Sequence, residues 1–100
     1  MNLGARVMFE TDIENEEDFT SLNVNADLFG EYIVNTNISP LVLRQEPTTE
    51  SAEIIQMPKG STFSCYGFTD ETNIWYLGEY IHKGKVYAGF AHKKYLERRI

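Results

Sequence analysis

Hydrophobic and polar positions in parts of this chain follow the two-residue period of a half-buried strand. Leu41-Val42-Leu43-Arg44 puts Leu41 and Leu43 on one face of a strand and Val42 and Arg44 on the other. Residues 62–68 repeat the pattern, with Phe63 and Cys65 sharing a face. Further strands are predicted over 32–34, 54–57, 75–81 and 85–92, and a last short one over 97–99 after a 3₁₀ turn near 93–96. Punctuation falls between them: Asn35-Thr36-Asn37, the polar stretch 45–51 with Pro47, Pro58-Lys59-Gly60 and 69–73. Lys83-Gly84 marks a tight hairpin between the two longest strands. Short strands every eight to twelve residues predict a small all-β domain of five or six strands. The expected core is Leu41, Leu43, Ile54, Phe63 and Tyr76.

Upstream of Gly30 the pattern is different. Residues 6–13 read as a short strand, and 15–22 as one or two helical turns. Asn15 would cap those turns, with Glu16, Glu17 and Asp18 at their positive end. The alternative is a disordered acidic arm. Phe19, Leu22, Leu28 and Phe29 give the segment an apolar side, which predicts that it docks on the following domain with its acids outward. The expected division is therefore an acidic extension over 1–30 and a β domain over 31–100.

Composition sharpens this division. Aromatic residues make up 13% of the chain, which suits pleated, half-buried surfaces. The net charge of −6 is unevenly placed. Residues 1–35 hold eight acids against one base, a net of −7, whereas residues 36–100 hold seven acids against eight bases, a net of +1. Acidity of this kind disfavours long-range attraction to phosphate, so no direct nucleic-acid contact is expected. The single cysteine, Cys65, allows no intrachain disulfide. No signal peptide or membrane-spanning run is recognisable, so the chain as given is expected to be cytoplasmic, monomeric and off the membrane.

The order of five elements resembles the bacterial SH3-like domain family: Leu41-Val42-Leu43-Arg44, Glu46-Pro47-Thr48-Thr49, Lys59-Gly60-Ser61, Trp75-Tyr76, and Gly89-Phe90-Ala91 running to Tyr95-Leu96. The match covers about residues 32–97. Glu46, Gly78 and Ala91 depart from the family's usual glycine, branched residue and valine. The resemblance implies an SH3-like barrel and a non-catalytic module that binds a peptide or protein partner. In an exported parent, that partner would be a cell-wall peptide. It also implies that Trp75 and Tyr95 match the aromatic pair lining the peptide groove of SH3 domains.

Several side chains invite chemistry. Glu46 and Glu50, beside Thr48, Thr49 and Glu53, would favour a cationic or amine-bearing ligand if they flank that groove. Glu14, Glu16, Glu17 and Asp18 form an acidic face suited to a basic partner. They support a second hypothesis, a stand-alone phage or mobile-element inhibitor that blocks a basic nucleic-acid-binding site on a host protein. His82, His92 and Cys65 lack metal-ligand spacing, so no metal site is expected. No nucleophile elbow, phosphate loop or zincin motif occurs, so neither catalysis nor a cofactor is expected.

Overall fold

The computed structural model describes residues 21–99. They form eight strands: β1 (Leu22–Val24), β2 (Gly30–Val34), β3 (Leu41–Arg44), β4 (Glu53–Met57), β5 (Thr62–Asp70), β6 (Trp75–His82), β7 (Lys85–His92) and β8 (Leu96–Arg98). Two 3₁₀ turns, Ala26–Leu28 and Lys93–Tyr95, complete the elements. The all-β expectation holds, with seven strands from Gly30 onward, β2 to β8, where five or six were expected. All the strands join one antiparallel sheet in the order β4-β3-β7-β6-β5-β2-β8, with β1 also paired to β5. The path ends, β4 and β8, are not neighbours, so hydrogen bonding does not close the sheet into a barrel.

Pairing begins upstream of residue 30. β1 lies along Phe68–Asp70 of β5, and β2 lies along Thr62–Cys65 of the same strand. Between these partners, β5 bulges against β6: the register steps from Cys65↔Gly78 to Phe68↔Leu77 and leaves Tyr66 and Gly67 as extra residues. Gly67 takes φ +91°, and its carbonyl accepts the Asn25 N–H at 2.8 Å, which seats the first 3₁₀ turn in the bend. Two extra residues preserve the alternation. Phe63, Cys65 and Thr69 are buried, whereas Tyr66 and Phe68 flank a separate cluster.

The main core contains Tyr32, Val34, Leu41, Leu43, Met57, Phe63, Cys65, Tyr80 and Ala91. Leu41, Leu43 and Phe63 are buried as expected. Ile54 and Tyr76 are only half-buried, which corrects their assignment to the buried core. For Ile54 the reason is a register shift: Leu43 pairs with Ile55 and Arg44 with Glu53, which leaves Ile54 outside the ladder. Tyr76 packs at the margin, edge-on to Tyr32 at 5.5 Å.

A second cluster joins Trp75, Leu77 and Phe90, with Leu22, Tyr66 and Phe68 against it. Of the upstream apolar residues, Leu22 thus packs on this cluster and Leu28 on the main core, whereas Phe29 is 66% exposed. Phe19, the segment 6–13 and the predicted helical stretch 15–22 as far as residue 20 lie outside the described residues; Leu22, the last residue of that stretch, instead begins β1, where it pairs with Asp70.

Candidate functional site

The alternation in β3 that buries Leu41 and Leu43 turns Val42 and Arg44 to the opposite face. Arg44 pairs with Phe90, Phe90 with Leu77, and Trp75 with His92, so these side chains share that face. Past the end of β7 the chain makes the second 3₁₀ turn and brings in Lys94 and Tyr95. The irregular stretch 36–40 closes the other side, tied to the turn through Asn35 N–H and the Tyr95 carbonyl at 2.8 Å. Together these segments line a cleft of about 600 Å³ that includes Ile38, Pro40, Val42, Arg44, Trp75 and Tyr95.

The two predicted aromatics are brought to one cleft but do not form a half-exposed pair. Trp75 is buried, 8% exposed, and Tyr95 is 36% exposed. His92 stands between them, 5.0 Å from the Trp75 ring and 5.8 Å from the Tyr95 ring. Its Nδ1 accepts the Lys94 N–H at 3.1 Å, which leaves Nε2 to carry the proton of the neutral ring. Burial lowers the imidazole pKa, and Lys94 and Lys93 lower it further, against an opposing pull from Asp70.

The Trp75 backbone is fixed by the preceding turn. Asp70 Oδ1 accepts the N–H groups of Ile74 and Trp75, both at 3.0 Å, and Oδ2 accepts the Thr72 hydroxyl at 2.6 Å. Burial pushes the Asp70 pKa up, but these bonds outweigh it and hold the carboxyl below its ordinary range. Asn73 closes the turn at φ +64° and accepts from Thr69 and Asn23. The Ile74 carbonyl then accepts from Lys93 N–H at 2.9 Å and joins this turn to the 3₁₀ turn bearing Tyr95.

Of the loop residues expected beside the groove, Thr49 lines the cleft, whereas Glu46, Thr48 and Glu50 do not. Thr48 and Glu50 instead organise the loop, with Glu50 N–H donating to Thr48 Oγ1 at 3.3 Å. Glu14, Glu16, Glu17 and Asp18 lie outside the described residues. His82 stacks on Tyr80 at 5.9 Å. Cys65 is a buried core thiol whose pKa is raised by burial. The structure brings neither of them to His92, and no metal-binding group of His, Cys, Asp or Glu forms among the described residues.

Sequence reasoning missed Thr36, Ile38, Arg44, His92 and Lys94. Arg44 was legible as the outward partner of Leu43. Ile38, 94% exposed, could have been noticed as an apolar residue in a turn-rich stretch. Thr36 carried no signal. It is 7% exposed, and its Oγ1 has no hydrogen-bond partner among the described residues.

No family model matches the chain, and neither a curated protein nor a solved structure matches it. Among the described residues, no helix is long and apolar enough to cross a membrane.

Proposed function

We propose that this chain is a non-catalytic binding module of the SH3-like kind that holds an extended peptide segment of a partner protein in the cleft beside Tyr95. The observation that carries the reading is the lining itself. A partly exposed tyrosine, a proline and an almost fully exposed isoleucine flank one open cleft whose floor is a buried tryptophan. Apolar walls of this kind, with the aromatic side held in place, suit a pre-extended chain, because they supply contact area at little entropic cost. The ordered run of motifs from Leu41 to Leu96 supports the SH3-like assignment. A cell-wall peptide is the ligand if the parent protein is exported.

The test uses the only tryptophan of the chain as a reporter. Extended peptides, including proline-rich and cell-wall stem sequences, are titrated while Trp75 emission is followed. Tyr95→Ala is expected to weaken the retained peptide by roughly fivefold or more and to leave the melting temperature near wild type. Failure of every peptide to perturb Trp75, or equal affinity of Tyr95→Ala, would overturn the reading. Trp75 itself is a poor choice for substitution, since truncating a buried aromatic costs about 3–5 kcal/mol of stability.

A further inference from the structure

We infer that this cleft selects peptides bearing a carboxylate, the opposite of the cationic preference that Glu46 and Glu50 suggested. The inference rests on the cleft being the peptide site. Among the described residues, its lining carries the charges of Arg44 and Lys94 and contains no acidic side chain.

Neither cation is ion-paired with an acid among the described residues. Arg44 Nη1 donates to the Ser51 carbonyl at 2.9 Å. That bond orients the guanidinium fork without neutralising it, and a fixed fork is the usual means of gripping a carboxylate. The Lys94 ammonium lies 5.6 Å above the Tyr95 ring, at the point where a ligand stacked on that ring would pass. His92 Nε2–H adds a neutral donor on the same wall. Asp70, the carboxylate that acts on His92, is buried and already accepts from Ile74, Trp75 and Thr72. Glu53, opposite Arg44 across β3 and β4, lies outside the cleft lining and forms no ion pair with Arg44 among the described residues.

Thr36 supplies an independent observation. A buried hydroxyl without a partner costs free energy, and Thr36 Oγ1, unpartnered among the described residues, borders the cleft. A ligand acceptor would satisfy it. An acidic peptide offers carboxylate and carbonyl oxygens to match Thr36, His92, Arg44 and Lys94, whereas a basic peptide offers more donors to a wall already rich in them.

The experiment is a peptide array in which each extended sequence is synthesised in matched Glu, Gln and Lys forms. Single-stranded oligonucleotides form a separate arm. The Glu forms are expected to bind about tenfold more tightly than the Lys forms at low salt and to lose that advantage as salt rises. Lys94→Gln should cut the preference about fivefold, and Arg44→Gln should cut it further. Lys94 is exposed on a turn, so its variant decides the matter if Arg44→Gln fails to fold. Equal binding of the three forms, a Lys preference, or a Glu preference untouched by Lys94→Gln would overturn the charge assignment and leave the peptide site standing. Binding of no peptide, or of oligonucleotide in place of every peptide, would overturn both.

Discussion

Gly78→Ala is expected to destabilise the protein by about 2–3 kcal/mol, because Gly78 lies against β5 with no room for a side chain. Gly78 and Gly89 face each other across β6 and β7. A Cβ on Gly78 would run into the Ser64 carbonyl oxygen and come within 2.7 Å of Phe63 Cζ and 2.9 Å of Cys65 Cα. On the partner strand, a Cβ on Gly89 would reach 2.6 Å from the Arg44 carbonyl oxygen. Two terms oppose each other. Replacing a strand glycine by alanine normally gains about 0.5–1 kcal/mol through the unfolded chain. Overpacking a tight core costs about 1–3 kcal/mol and occasionally more. Here the obstructing atoms are main chain and a fully buried ring, neither of which can swing aside, so the second term prevails. For a domain of this size, such a loss corresponds to roughly a 10–20 °C fall in melting temperature. Urea unfolding followed by Trp75 emission, with a thermal melt by circular dichroism, measures it. Ala88→Gly, at an exposed position of β7, is the control and should cost only about 0.5–1 kcal/mol. A Gly78→Ala protein as stable as wild type would refute the close approach of β5 to β6 beside the β5 bulge.

Arg98 fastens the first 3₁₀ turn to β8: Nη1 donates to the Asp27 carbonyl at 2.9 Å and the Tyr32 hydroxyl at 2.8 Å, and Nη2 donates to the Phe29 carbonyl at 3.1 Å. Arg98→Ala is expected to cost about 1–2 kcal/mol and to speed amide exchange over residues 25–30; unchanged exchange there would remove the fastening role. The pH dependence of stability should carry a step from His92, whose folded pKa lies below its ordinary 6.5. On acidification the unfolded chain takes the proton first, so stability falls as pH drops from about 6.5 to the folded pKa and then levels off. His92→Gln should flatten that step in the urea midpoint, and an NMR titration placing His92 above 6.5 would contradict it.

Much of the fold was legible because local chemistry and global fold agree. Leu41 and Leu43 alternate with residues suited to the other face, and the strand forms there. Lys83 and Gly84 both take positive φ, at 53° and 78°, as the hairpin signal requires. The bend in β5 was hidden by its own arithmetic. A two-residue bulge leaves the inward and outward alternation unbroken, so residues 62–70 read as one regular strand although their pairing breaks at Tyr66-Gly67. Gly78 stood out as a departure from the family pattern, and its physical reason is the close approach of Phe63, Ser64 and Cys65 of β5, which leaves no room for a Cβ. β1 was missed because Leu-Asn-Val is too short to show a period and is held by pairing with β5.

The site was legible in its aromatics and misread in its charge, and the cause is the geometry of strands. Neighbours in a strand sequence point to opposite faces, so proximity in sequence is a poor guide to which charges share a surface. The acids of the 45–53 stretch follow Arg44 directly, yet of that stretch only Thr49 lines the cleft. The charges that do line it come from the outward position of β3 and from the turn after β7, fifty residues apart in sequence. The same geometry says which wall yields to a ligand. Trp75 and the Tyr95 turn are coupled through Asp70, Ile74 and Lys93, so one wall is preorganised before anything binds. Among the described residues, the facing stretch 36–40 makes no ladder hydrogen bonds, and it carries the exposed Ile38 together with Thr36, whose hydroxyl has no partner there. Adjustment on binding therefore falls on this one short segment, which limits the ordering cost and lets a modest cleft hold a peptide.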